Sequence, residues 1–253
     1  MHPSRREFLQ ICVVGAGGLL GCGLPSAAEP GGGSARLTAR PGTPTGTVAT
    51  GINRLGLGAT RDGYLYVPPG YVPGQPTPFL LALHGAGISA QGPLDLWGPY
   101  ADARGFLLLS VDSADPTWDA IQGRYGPDVA FIDAALARAF GRVTVDPARL
   151  ALSGFSDGAT YALGLGLANG DLFVRTIANS PGGIVPSDTP PTGHTEFFFS
   201  HGVQDTVLPI DLASRRIVPE LRQEGYTVTF LEFQGGHLVT PEVALATVDW
   251  FLR

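Results

Sequence analysis

Gly154-Phe155-Ser156-Asp157-Gly158 stands between a short apolar run, Leu150-Ala151-Leu152, and the small and apolar stretch Ala159 to Ala168. A serine flanked by glycines at i−2 and i+2 fits a sharp strand-to-helix turn. The glycines let neighbouring backbone approach closely, the hydroxyl stands clear, and the helix N-terminus aims N–H groups at developing negative charge. Alone, the five-residue pattern is common. Its placement between a strand signal and a helix signal makes Ser156 a candidate nucleophile.

Outward from that turn, strand and helix signals alternate. Arg61 to Val67 alternates in polarity and stops at Pro68-Pro69-Gly70. Phe79 to Leu83 and Phe106 to Val111 are continuous apolar runs, as expected of strands buried on both faces of a parallel sheet. Further strands are predicted at Leu150–Leu152 (after a turn at Val145-Asp146-Pro147), Thr176–Ala178, Phe197–Phe199 and Thr227–Phe233. Helical spacing marks 128–140, 159–168, 212–224 and 241–252, the last entered through Thr240 as N-cap and Pro241 at the first turn. The alternation predicts an α/β domain over residues 47–253, with a mostly parallel sheet covered on both faces. No spare block between the later strands is long enough for a large cap domain.

Two partners for the serine follow in order. Asp205 lies in His201-Gly202-Val203-Gln204-Asp205, just after the Phe197–Phe199 strand, and His237 follows Gly235-Gly236 after the last strand. A base on the serine and a carboxylate behind that base form an arrangement for nucleophilic catalysis. His2 lies at the extreme N-terminus, and His194 sits in a Pro/Gly/Thr-rich loop. His84 and His201 each precede a glycine at a strand end and read as loop-holding residues. Asp171 and Asp188 follow no predicted sheet strand directly, and Asp211 reads as a helix cap. Backbone donors for an oxyanion are expected at Asp157, directly after the serine, and at Ala86 in His84-Gly85-Ala86-Gly87.

Composition narrows the field. The chain has 253 residues, a formal net charge of −6 and 16 cationic residues that are all arginine. No basic stripe points to nucleic acid, and the absence of lysine removes any lysine nucleophile. The two cysteines are Cys12 and Cys22, so the later sequence offers neither a disulfide framework nor a thiolate site. No cluster has metal-ligand spacing, and no metal or other cofactor is expected.

Residues 1–21 have the build of an export signal: Arg5-Arg6 before Phe8-Leu9, then a short apolar run to Leu20. The paired arginines match the twin-arginine route. Leu19-Leu20-Gly21-Cys22 resembles a lipobox, with Cys22 as the lipidated first residue of a membrane-anchored protein. Cleavage after Ser26-Ala27-Ala28 stays open as the alternative and gives a periplasmic or secreted protein. Residues 22–46, rich in Gly and Pro, are expected to form a flexible tether.

Tyr66-Val67-Pro68-Pro69-Gly70-Tyr71, Leu83 to Gly87, Asp146-Pro147-Ala148-Arg149-Leu150, Gly154 to Gly158, His201-Gly202 with Asp205, and Gly236-His237 together resemble the phospholipase/carboxylesterase-type branch of the α/β-hydrolases. The likeness lies near the polyhydroxybutyrate-depolymerase and feruloyl-esterase-like enzymes and runs from about Arg61 to the C-terminus. It implies the α/β-hydrolase fold, serine esterase chemistry through Ser156, Asp205 and His237 (the chain order of that superfamily), and a small-molecule, lipid or polymer ester as substrate. Position 157 departs from the commoner pattern, carrying Asp where many relatives have Met, Asn, Gln or His. The same residues would also serve acyl transfer or peptide cleavage, and a surface-binding lipoprotein without turnover is the non-enzymatic alternative. The cleft is expected to be walled by loops at 88–97, 118–125 and 180–183, with Trp118, Tyr125 and Leu208 as candidate substrate contacts.

Overall fold

The structure is a computed structural model that describes residues 32–253. The export signal, Cys12, Cys22 and the Ala28 cleavage point lie outside the described residues.

Eight strands form one sheet: β1 (Gly51–Arg54), β2 (Gly63–Val67), β3 (Thr77–Leu83), β4 (Leu107–Val111), β5 (Val145–Phe155), β6 (Arg175–Asn179), β7 (Glu196–Gly202) and β8 (Val228–Phe233). The spatial order is β1-β2-β4-β3-β5-β6-β7-β8. β1 and β2 are antiparallel at one edge, and every pairing from β4 to β8 is parallel. The helices are α1 (Gln91–Arg104), the short α2 (Asp119–Gln122), α3 (Pro127–Phe140), α4 (Asp157–Ala168), α5 (Ser214–Gln223) and α6 (Pro241–Phe251). Among the described residues no inserted domain interrupts this order.

The apolar runs work as two-faced strands. In β3, Phe79, Leu81 and Leu83 join the core under α3 and α4, whereas Leu80 and Ala82 face the core under α1 and α6. In β7 the alternation repeats: Phe197 and Phe199 pack with α4 and α5, Phe198 with α6. This two-sided burial is why period-2 polarity is missing from the central strands.

Three local expectations change. Residues 146–149 do not form a turn before a separate strand; a register shift, from Thr77 opposite Val145 to Phe79 opposite Leu150, absorbs them within β5. The segment 91–97 is no loop but the first half of α1. Gly92, Pro93, Gly98 and Pro99 blur its periodicity, and Pro93 is tolerated because the first turn needs no N–H there. The helix expected over 212–224 begins as a 3₁₀ turn, Ile210–Leu212, and breaks at Ala213 before α5.

The largest correction concerns the tether. Residues 32–46 form a docked strap. Ala35 and Leu37 are fully buried in the core beside α3 and α4. The Leu37 N–H donates to Asn169 Oδ1 at 2.8 Å, and Asn169 Nδ2 donates to the Ala35 carbonyl at 2.7 Å. Arg36 makes a two-pronged pair with Asp171, with both contacts at 2.6 Å, while Asp133 accepts from the Thr38 N–H and hydroxyl. Leu37 alone contributes on the order of 1.5–3 kcal/mol by leaving water. Two apolar residues among Gly, Thr and Arg are too few to show as periodicity, and their partners come from distant sequence.

Candidate active site

The β5–α4 turn places Ser156 at φ 56° and ψ −121°. A non-glycine residue there costs about 1–3 kcal/mol and persists only where its surroundings hold it. The two glycines are required by space. A Cβ on Gly154 would lie 2.1 Å from the Gly158 carbonyl oxygen, and one on Gly158 would lie 2.4 Å from the His84 carbonyl oxygen. The Ser156 N–H donates to the Asn179 carbonyl at the end of β6, and the Ser156 carbonyl accepts from Ala159 and Thr160 in α4. The turn is thus tied to the sheet on one side and to the helix on the other.

His237, on the β8–α6 connection, reaches back to the serine. Its Nδ1 lies 2.6 Å from Asp205 Oδ2 and its Nε2 lies 2.9 Å from Ser156 Oγ. A carboxylate only accepts, so Nδ1 carries the hydrogen and Nε2 is left to accept from the Ser156 hydroxyl. The imidazole also packs on the Phe155 ring, 4.8 Å between centroids.

Asp205 is buried, and its oxygens are shared between two tasks. Oδ1 accepts from the N–H groups of Val207 (2.9 Å) and Leu208 (2.8 Å), while Oδ2 faces His237. Burial pushes this carboxyl up, but the Leu208 N–H, His237 and the Val207 N–H outweigh it. The net pKa lies below the ordinary value, so the group stays an anion. Behind it, His201 donates from Nε2 to the Leu208 carbonyl at 2.7 Å and accepts from the Ser214 hydroxyl at Nδ1, with Asp205 Oδ2 at 3.3 Å. Burial lowers its pKa in spite of those partners, leaving a neutral brace.

The loop after β3 lies on the other side of the serine. A Cβ on Gly85 would stand 3.3 Å from Ser156 Cβ, and Ala86 is exposed next to it. His84 fixes this loop: Nδ1–H donates to the Gly85 carbonyl (2.8 Å), and Nε2 accepts from the Ser113 N–H (3.0 Å). Burial lowers its pKa too. Gly87 donates to the Pro116 carbonyl at 2.7 Å. Asp157 opens α4 with its carboxylate accepting from the Thr117 hydroxyl at 2.6 Å. Thr117 carried no signal in the sequence, since a lone threonine in a loop shows nothing of a partner 40 positions away.

Trp118 and Tyr125 do not face a cleft. Both are buried core residues, and with Tyr161 they form a ladder of rings behind His84 with spacings of 4.8, 5.1 and 5.0 Å. The Trp118 indole N–H donates to the His84 carbonyl at 2.9 Å. Asp128 supports the same region. It is fully buried, accepts from the Ala114 and Asp119 N–H groups and pairs with Arg61. Leu208 is half-buried beside Gly182, and its backbone holds both Asp205 and His201. Asp171 and Asp188 bind the strap, Asp211 pairs with Arg215 instead of capping α5, and His194 stacks on Tyr226.

No family model matches the chain. It is 27% identical over 172 residues to feruloyl esterase C of Emericella nidulans, covering 65% of this chain and 61% of that enzyme. The chain thus spans about three fifths of that relative's length. Among solved structures, esterase PE8 superposes with a TM-score of 0.61 at 19% identity, over 76% of this chain and 98% of that one. The Bacillus cereus carboxylesterase gives 0.57 at 18% identity, over 76% and 94%. With the sheet order and the strand–turn–helix at Ser156, these likenesses show the α/β-hydrolase fold in a chain similar to esterases in sequence and in structure.

Proposed function

We propose that the chain is an exported serine hydrolase that cleaves carboxylic esters through Ser156, His237 and Asp205 by way of an acyl-enzyme. The observation that carries this reading is the continuous hydrogen-bond line from Asp205 through His237 to the Ser156 hydroxyl. In the first half-reaction Ser156 Oγ attacks the ester carbonyl carbon as its proton passes to His237 Nε2. The backbone N–H groups of Ala86 and Asp157 hold the oxyanion, and the alcohol departs with the proton from Nε2. In the second half, water gives its proton to His237 and attacks the acyl carbon, releasing the acid and restoring Ser156. Asp205 keeps the proton on Nδ1 and stabilises the imidazolium; it remains an anion throughout. Esterase relatives support the ester as substrate class. The twin-arginine pattern supports export, ending at Cys22 as a lipid anchor or at Glu29 after cleavage.

The test is hydrolysis of p-nitrophenyl esters from acetate to palmitate by wild type and Ser156→Ala, with a fluorophosphonate probe as a second readout. Loss of the nucleophile leaves at most ~10³–10⁴-fold over the reaction in water. A collapse of several orders of magnitude, with loss of labelling, is expected. Activity or labelling that survives in folded Ser156→Ala would overturn the assignment. The mass of the mature protein's N-terminal peptide separates a lipidated Cys22 from a free Glu29.

A further inference from the structure

The hydrogen-bond line that ends at the Ser156 hydroxyl does not begin at Asp205. His201, near the C-terminal end of β7, lies behind that carboxylate with its side chain wholly buried. Its Nε2 faces two acceptors, the Leu208 carbonyl at 2.7 Å and Asp205 Oδ2 at 3.3 Å. Its Nδ1 faces the Ser214 hydroxyl at 2.7 Å. Ser214 is the first residue of α5 and is itself fully buried; the break at Ala213, after the 3₁₀ turn, brings it to His201. Asp205 Oδ2 therefore stands between two imidazoles, with His237 Nδ1 at 2.6 Å on its other side. Oδ1 is occupied by the Val207 and Leu208 N–H groups, so Leu208 serves both side chains, Asp205 with its N–H and His201 with its carbonyl. Glu232, opposite His201 in the β7–β8 register, is paired with Arg215, which also holds Asp211.

We infer that Ser214 and His201 are positioning residues of this site: Ser214 holds His201 in the tautomer that presents Nε2–H beside Asp205, and His201 holds Oδ2 on His237. The inference rests on the hydrolase reading above and adds what fixes the direction of its proton line. With Nε2 between two acceptors, the neutral ring needs its hydrogen there. The other tautomer would set a bare nitrogen lone pair against the Leu208 carbonyl and the carboxylate. The required tautomer leaves Nδ1 an acceptor, and the Ser214 hydroxyl rotates to donate to it. Each member then dictates the next. Ser214 O–H donates to His201 Nδ1, and His201 Nε2–H donates to the Leu208 carbonyl and flanks Asp205 Oδ2. His237 Nδ1–H donates to that same oxygen, and Ser156 O–H donates to His237 Nε2. A carboxylate flanked on both oxygens is kept from swinging away from His237, and general-base catalysis depends on that alignment. Because His201 stays neutral, Asp205 is the counter-ion of one cation only when His237 takes the serine proton.

The experiment is a double-mutant cycle on kcat/KM for p-nitrophenyl acetate, with the rate of fluorophosphonate labelling as a second readout. His201→Met removes the donor at similar bulk. Turnover and labelling should fall together by about ten- to a hundredfold, the scale of one contact to a charged group. His201→Gln should stay within about threefold of wild type, because its amide gives an N–H to the Leu208 carbonyl beside Asp205 while its oxygen accepts from Ser214. Ser214→Ala should cost about three- to tenfold with His201 in place, the scale of a neutral hydrogen bond. In the His201→Gln background the same change should cost less than about twofold, since an amide has no tautomer to lose. A Ser214 that only packs would cost the same in both backgrounds, and that result would overturn the inference. So would wild-type turnover in folded His201→Met. If His201→Met fails to fold, the two Ser214→Ala comparisons decide. Wild type that labels and cleaves, in a cycle without coupling, removes this inference alone. Folded wild type that neither labels nor cleaves any ester removes the hydrolase reading with it.

Discussion

The two flanks of the Ser156 turn are built in opposite ways. Toward α3 and α4, Trp118, Tyr161 and Tyr125 pack ring against tilted ring, and buried Asp128 and the part-buried Arg61 tie residues 112–119 behind the His84 loop. Toward α1 and α6, Ile88, Leu96 and Leu238 leave an apolar cleft open to solvent. The packed flank fixes where the backbone donors and the serine stand. The open flank is free to vary without moving them. Trp118 and Tyr125, expected from the sequence at the cleft wall, are framework and line no cleft beside Ser156.

Breaking the packed flank should have the largest effect. Trp118→Ala removes a fully buried indole and its bond to the His84 carbonyl. About 3–5 kcal/mol of stability should be lost, or roughly 6–20 °C in Tm at ~2–4 °C per kcal/mol, read by calorimetry. An unchanged Tm would mean this flank is not the rigid one. Thr117→Val, at the boundary of the flanks, frees the Asp157 carboxylate beside the proposed oxyanion donors. kcat/KM should fall about ten- to a hundredfold, the scale of a charged hydrogen bond, and Asp157→Asn in the same background should restore it. No restoration would show that the Thr117 contact is structural only.

A pH series sharpens the comparison further. Burial holds His84 and His201 below the ordinary imidazole value, so unfolding lets each take up a proton that the native state refuses. Their contribution to stability is complete above about pH 6.5 and is lost as pH falls from there toward their lowered native values. Asp205, also lowered, acts in the same direction only in the more acidic carboxylate range. His84→Gln should therefore flatten the fall of Tm between pH 7 and 5, and an unaltered slope would remove His84 from the account. The smallest effect is expected on the open flank: Ile88→Ala should stay within roughly 1 kcal/mol of wild type in urea unfolding, since the side chain is 46% exposed.

What could be read in the sequence follows the same division. Buried strands announce themselves by unbroken apolar runs, and Ser156, Asp205 and His237 by the turns that carry them. These signals are local, so β2–β8 were legible, and so was the trio that the structure brings together, Ser156, Asp205 and His237. β1 was missed because Gly51–Arg54 is a short edge strand with alternate residues exposed. α1 was missed because two Gly-Pro pairs hide its period. Trp118 and Tyr125 were misread because a ring's neighbours come from elsewhere in the chain: Tyr161 and Val185 decide their burial, and nothing local to residues 118–125 reports them. The strap escaped for that reason in its extreme form, with partners up to 156 positions away.

That strap has a consequence in time. Gly33, Ala35 and Leu37 are among the first described residues to leave the ribosome, yet Asp188, Thr189 and Asn169, which hold them, come 132–155 residues later. At ~5–20 residues per second the wait is roughly 7–30 s. Throughout that interval the α3–α4 face lacks its cover. The strap waits for partners made far later, so a chain released before residue 192 carries an unclosed seam, and docking of the strap marks synthesis that has passed that residue.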